Sequence, residues 1–192
     1  MKKLIALALS ALLLAGLACA QSAELPAYVY PGEDPILAAV ANYASSLGSL
    51  YLEPERCVCI PAPVVLKIEL VDDATARVYG QFWHMNYVLK GTVLESVSGG
   101  EQPAVLTLVK SGDIWSVTGA DIAEDGDGYA PSILRLAGGD EALAEQFFAA
   151  SDLMAEPAAS IRTQFIRDYV KANNLPVEGY QDPFWEMVPL GE

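Results

Sequence analysis

The spacing of apolar residues along the chain changes near Pro63, from a helical period to a strand period. Between residues 34 and 50 the apolar side chains recur at intervals of four and three, as Ile36, Val40, Tyr43, Leu47 and Leu50. This spacing predicts an amphipathic helix of about four turns. We expect Asp34 to cap its first turn, with Pro35 in the first helical position.

From about residue 64 to residue 122, apolar and polar residues alternate, which predicts β-strands. The segment VVLKIEL places Leu66, Ile68 and Leu70 on one side of a strand, which we expect to face the core. SGGEQP predicts a turn, and AVLTLVK and DIWSVTGADI are expected to pair across a short loop at residues 111–112. The region therefore predicts an antiparallel meander of four to six strands.

The C-terminal third returns to a helical pattern. After EDGDGYAP, which interrupts the strands, three segments have helical spacing: PSILRLA, DEALAEQFFAASDLMA and PAASIRTQFIRDYVKANN. The tail LPVEGYQDPFWEMVPLGE is aromatic and has no helical period, so we expect it to be extended and to pack back on the domain. The fold class predicted from the whole pattern is α+β: an N-terminal helix on a curled antiparallel sheet, then C-terminal helices and an extended aromatic tail.

The first 20 residues have the organisation of a secretory signal peptide. Lys2 and Lys3 precede an apolar run over residues 4–17, and Ala18-Cys19-Ala20 supplies small residues for cleavage after Ala20. In the alternative, Cys19 is the lipid-bearing first residue of a lipoprotein, and its acyl chains tether the domain to a membrane face. We expect residues 21–33 to form an N-terminal arm and residues 34–192 a single domain, with a cone-like core over 34–122 and a helical extension over 123–192.

The net charge of the chain excludes some classes of binding partner. The formal net charge is −14, and the predicted cleavage removes two of the 11 basic residues and none of the 25 acidic ones, which lowers it by two, to −16. Each phosphate contact requires a cation, so this charge argues against nucleic acid and against adhesion to anionic lipid. We expect an exported protein, extracellular, periplasmic or tethered to the cell surface, whose partner is a protein, a peptide or a glycan.

The predicted helix followed by strands that end in LVKSGDIWSVTGADI resembles the cystatin-like cone, the fold shared by ketosteroid isomerase and the nuclear transport factor family. The tail YVKANNLPVEGYQDPFW is similar to the C-termini of exported bacterial proteins without a known activity. The first resemblance covers residues 34–122 and implies a helix packed inside a bent sheet. It does not account for the three helices that follow.

Two cysteines in ERCVCIPAP, Cys57 and Cys59, are candidates for a disulfide, for a metal site or for buried thiols. Pro61 and Pro63 favour an extended backbone, in which the two Cα atoms lie about 6.6 Å apart on one face. That separation is at the upper limit for a disulfide, so the bridge would be strained. A thiolate pair suits Cu(I), with His84 as a further ligand. The three alternatives stay open, and a hydrogen-bonded structural role is the alternative for His84.

Aromatic side chains on the predicted strands are candidates for lining a ligand pocket: Tyr79, Trp83, Tyr87 and Trp115. In a filled cone the same side chains are core. The alternation places Tyr79 and Trp83 on one strand face and Phe82 on the other.

We predict a non-enzymatic binding or interaction module without a cofactor, for a ligand that the sequence does not specify. The alternatives are a small-ligand enzyme of the ketosteroid-isomerase type and a copper-binding protein that uses Cys57 and Cys59. An isomerase of this type needs a buried aspartate and a hydrogen-bond donor inside the cone. The binding module instead predicts a filled cone and an exposed apolar or aromatic patch.

Overall fold

The computed structural model of the chain describes residues 25–48 and 57–191. The predicted signal peptide, Cys19 and Leu50 lie outside the described residues. The first helix, α1, spans Pro35–Gly48. Asp34 Oδ1 accepts hydrogen bonds from the backbone N–H groups of Ile36 and Leu37, at 2.9 and 3.0 Å. The predicted cap is therefore confirmed.

The remaining elements follow the predicted order of strands and then helices. The strands are β1 (Val58–Leu70), β2 (Thr75–Lys90), β3 (Val93–Gly100), β4 (Pro103–Ser111) and β5 (Ile114–Ile122). A 3₁₀ turn at Gly126–Gly128 leads to α2 (Tyr129–Leu136), α3 (Glu141–Ala149) and α4 (Ala158–Ala172). Two short strands in the tail, β6 (Gly179–Gln181) and β7 (Val188–Pro189), complete a seven-stranded sheet. The α+β class is confirmed, and the sheet has slightly more strands than the four to six expected.

Strand β2 is the centre of the sheet. β1 pairs antiparallel along one side of it, and β3 and β4 follow each other along the other side in a single register, with His84 opposite Gly100 and Gln81 opposite Pro103. The prediction of a chain reversal at SGGEQP is therefore wrong. The glycines serve close packing instead, because a Cβ at Gly99 would lie 2.2 Å from Met85 Sδ and 2.8 Å from the His84 carbonyl oxygen.

An outer row of strands covers only parts of this long β3–β4 line. β5 pairs antiparallel with β4 from Ala104 to Ser111. β6 pairs parallel with β3 from Val93 to Glu95, and β7 pairs antiparallel with β6. Between these two stretches, residues 96, 98–100 and 102 have a ladder or backbone partner on the β2 side. None of residues 96–102 has a ladder partner on the outer side within the described chain.

The two faces of the sheet are covered by different helices. α1 contacts both β1 and β5, which lie at opposite edges, so the sheet curves around this helix. Its side chains form an apolar cluster with β2 and β4, whose buried members are Ala39, Val40, Ala44, Ala76, Val78, Phe82, Ala104, Leu106 and Leu108. The C-terminal helices and the tail pack on the opposite face, where α4 meets Val58, Ile60 and Tyr87.

The expectation that Leu66, Ile68 and Leu70 share a core-facing side is wrong. A bulge between Val65 and Lys67 breaks the alternation in β1. Leu66 packs among the C-terminal helices, whereas Ile68 lies opposite Val78 on the α1 face and is 45% exposed. Leu70 is more exposed still. The bulge thus separates Leu66 from Ile68 and Leu70, and the end of the hairpin extends beyond the helices.

Candidate binding site

The aromatic tail is attached to the domain by a buried ion pair. Arg162, in the second turn of α4, is 2% exposed and forms a bidentate pair with Asp182, which directly follows β6. Both nitrogen–oxygen distances are 2.6 Å. Arg162 Nε also donates to Tyr87 Oη at 2.8 Å, and Ser96 Oγ donates to Asp182 at 2.5 Å. The guanidinium lies 4.6 Å from the ring centroid of Tyr180. Four elements are joined at this one network.

The environment holds both partners in their ionised forms. Burial alone would raise the pKa of Asp182, but hydrogen bonds from Arg162 and Ser96 lower it below its ordinary value. Burial would lower the pKa of Arg162, and the bonds to Asp182 and Tyr87 raise it. Burial raises the pKa of Tyr87, so its hydroxyl stays protonated. The network is therefore a stable charge pair rather than an acid–base centre.

The turn that follows Asp182 directs aromatic side chains into solvent. Phe184 is fully exposed and has a φ of 69°, in the left-handed region that is unfavourable for a bulky side chain. Trp185 is 60% exposed. The turn is held by the Trp185 N–H, which donates to the Asp182 carbonyl at 3.2 Å, and by Gln181 Nε2, which donates to the Trp185 carbonyl at 2.6 Å. Strained, exposed residues of this kind occur mainly at functional sites.

A groove of about 370 Å³ separates this turn from β3 and from the loop that follows α3. Its lining combines apolar side chains with small polar ones: Met85, Ser96, Val97, Ser98, Gly99, Leu153, Met154, Asp182, Pro183 and Trp185. Val97 and Met154 are about half exposed. We refer to Val97, Met154, Phe184 and Trp185 as the tail patch. This combination of an apolar groove and exposed aromatic residues is typical of an interaction surface.

A second cavity of about 300 Å³ lies on the other face of the same strand. The described residues that line it are His84, Asn86, Ser98 and Gly99. Asn86 Nδ2 donates to Ser98 Oγ at 3.0 Å and to the carbonyl of Gly48, at the end of α1, at 3.2 Å. Burial lowers the pKa of His84, which favours the neutral imidazole at neutral pH.

The structure does not bring the four predicted pocket aromatics together. Tyr79 lies near α2 and donates to Glu69 at 2.9 Å. Trp83 Nε1 donates to the Ala150 carbonyl at 3.0 Å, and Trp115 packs against the α1 cluster. Tyr87 is buried in the Arg162 network. Tyr87 is thus the member of the predicted set that contacts the candidate site, through its hydrogen bond with Arg162.

The side chains through which α1 packs on the sheet are apolar. The buried polar residues of the described chain are Gln81, Asn86, Ser96, Ser132 and Arg162, and they include no carboxylate. An isomerase of the ketosteroid type requires a carboxylate in this position. In the described residues, the arrangement that this alternative needs is not present.

Cys57 and Cys59 are not joined by a disulfide. Burial raises the pKa of Cys59 to about 11, so its thiol is protonated at neutral pH. Cys59 lies opposite Asn86 in the β1–β2 ladder, two positions from His84. Within residues 25–48 and 57–191, no three histidine, cysteine, aspartate or glutamate side chains are grouped so as to hold a metal ion. Nor does this part of the chain contain a helix with the length and apolar composition needed to cross a bilayer.

Sequence reasoning missed the two residues that organise the site, Arg162 and Asp182. The buried face of α4 is formed by Ala158, Arg162, Ile166 and Tyr169. A cation at helical spacing from buried apolar residues indicates a buried anionic partner, and this signal was present in the sequence. The partner itself lies 20 residues further along the chain, where no local pattern marks it.

Comparisons with protein-family models, with curated proteins and with solved structures found no significant match for this chain.

Proposed function

We propose that this chain is an exported binding module that recognises polypeptide through the tail patch and the groove beside it. The observation that carries the proposal is the orientation of the turn at Pro183–Met187. It presents Phe184 and Trp185 to solvent although the neighbouring Tyr180 and Leu190 are buried. Exposing two large aromatic side chains on a fixed turn is unfavourable for an isolated domain and favourable for one that binds a partner.

The chemistry of the groove favours a polypeptide over a glycan. Its apolar lining includes Met85, Leu153 and Met154. Methionine side chains are flexible and polarisable, and they adapt to varied apolar side chains. A glycan requires several available hydrogen-bonding groups, whereas Asp182 and Ser96 are already engaged in the Arg162 network. The partner that fits best is a peptide segment with apolar side chains.

Panning a phage-displayed random peptide library against the purified protein tests this function. We expect enriched peptides whose affinity falls at least about tenfold in the double variant Phe184→Ala/Trp185→Ala, because exposed aromatic anchors supply much of the energy of such interfaces. Both side chains are exposed, so the variant should fold.

The matched control is Ile114→Ala, which removes an exposed apolar side chain from β5, at a distant edge of the sheet. It should bind the selected peptides as the unmodified protein does. A library that yields no enriched peptide, or peptides whose binding the double variant leaves unchanged, would contradict the proposal.

A further inference from the structure

The outer side of β3 contains an open stretch of sheet edge that lies directly beside the tail patch. β6 covers β3 as far as Glu95, and β5 begins to pair with β4 at Ala104. The intervening residues 96–102 would span about 23 Å if fully extended, at about 3.3 Å per residue. That length accommodates a strand of ordinary size.

The composition of this edge lacks the usual protection against strand pairing. Its sequence, SVSGGEQ, contains no proline and no lysine, and Val97, Ser98 and Gly99 are exposed. Its protective features are a bulge at Val97, between the pairs Asn86–Ser98 and Tyr87–Ser96, and a single charged side chain, Glu101. Exposed edges with free N–H and C=O groups are templates for another strand.

The two cavities lie on opposite faces of this edge. Met85 and Ser96, in the apolar groove, face the C-terminal helices. His84 and Asn86, in the second cavity, face α1. Both cavities include Ser98 and Gly99, so they meet at the open edge. Successive side chains of a strand point to opposite faces, and a strand added here would place alternate side chains in the groove and in the second cavity.

We propose that residues 96–102 accept a basic, extended peptide segment of a partner protein as an added β-strand, with alternate side chains directed to the groove and to the opposite cavity. Main-chain hydrogen bonds then supply affinity, and the two cavities supply specificity. This inference rests on the proposed function and specifies its binding mode. The strand would complete the outer row of the sheet between β6 and β5.

Charge complementarity selects a basic partner. The chain has a formal net charge of −14, and neither cavity is lined by a lysine or arginine in the described residues. Arg162 is committed to Asp182. At the far end of the edge, partial burial and the neighbouring Asp125 raise the pKa of Glu101. A lysine or arginine on the added strand would stabilise these carboxylates and would accelerate association.

A fluorescently labelled, capped heptapeptide, KLTVTLK, tests the inference by anisotropy with the purified protein. In it, apolar and polar side chains alternate, as in a strand with two different faces. Two N-methylated forms are compared, one methylated at the apolar positions and one at the threonines. Alternate N–H groups of an added strand point to the sheet edge, so one form should lose at least about tenfold in affinity and the other should bind as the parent does.

Three further comparisons sharpen the result. The acidic analogue ELTVTLE should bind at least about tenfold more weakly. Val97→Lys, which adds a charge to the open edge, should weaken the binding of KLTVTLK, whereas Ile114→Lys on β5 should not.

Equal binding of both N-methylated forms would overturn strand addition and leave the proposed function intact. The same conclusion would follow if KLTVTLK did not bind while library-selected peptides bound through Phe184 and Trp185. Failure of every peptide would overturn both.

Discussion

The first helix, α1, and the last helix, α4, pack against opposite faces of one sheet by different physical means. α1 is held by an apolar cluster that contains Val40, Ala44 and Phe82. α4 also has an apolar contact, but its centre is Arg162, paired with Asp182 and bonded to Tyr87. In the first arrangement, apolar side chains hold α1 against the inner face of the curved sheet. The second fixes the tail in a position that leaves its aromatic turn exposed. The difference suggests that the α1 face serves stability and that the tail face serves binding.

Removal of Arg162 should have the largest effect on this arrangement. Arg162→Met leaves Asp182 partly buried without its partner, and removing one member of a buried ion pair costs about 3–5 kcal/mol. We expect this loss in the free energy of unfolding, measured by urea denaturation, together with increased exposure of Trp185 to a fluorescence quencher.

The matched control is Arg135→Met, which removes an exposed ion pair with Asp121 and should change stability little. If Arg162→Met and Arg135→Met had equal effects, the tail would be anchored by its apolar contacts and not by the ion pair.

Truncating a side chain in the α1 cluster should lower the free energy of unfolding less than Arg162→Met does, and it should leave peptide binding unchanged. Val40 is fully buried in that cluster. Val40→Ala should lower the free energy of unfolding by about 2 kcal/mol, because it removes apolar contacts and leaves a small cavity. The affinity for KLTVTLK should remain unchanged. A parallel loss of affinity would show that the two faces are coupled, in contradiction to the division of roles.

The first of these regions could be predicted from the sequence, and the second could not. Asp34, Pro35 and the apolar spacing specify α1 because the signals are local. The partnership of Arg162 with Asp182 depends on tertiary structure, and no spacing rule links the two. The turn predicted at residues 98–103 was wrong because glycine pairs are frequent in turns. Here the glycines at residues 99–100 permit close packing against β2. Alternation likewise predicts strands but does not predict which strands pair.

The smallest predicted effect is the pH dependence of the stability that Asp182 contributes. The pKa of Asp182 is lowered in the folded protein, so its stabilising contribution is present above its unfolded pKa of about 3.9 and is lost as the pH falls through the folded value. The difference in unfolding free energy between the unmodified protein and Asp182→Asn should therefore be constant near neutral pH and decrease below about pH 4. A difference that persists unchanged in acid would mean that the charge of Asp182 contributes nothing.

Amide hydrogen exchange, measured with and without KLTVTLK, tests the central claim most directly. In the free protein, the outward-facing N–H groups of residues 96–102 should exchange rapidly, because none of them has a backbone partner on that side within the described chain. Peptide binding should slow alternate amides of this segment and leave those of β5 unchanged. Binding without any protection along residues 96–102, or protection already complete in the free protein, would contradict an open edge that accepts a strand.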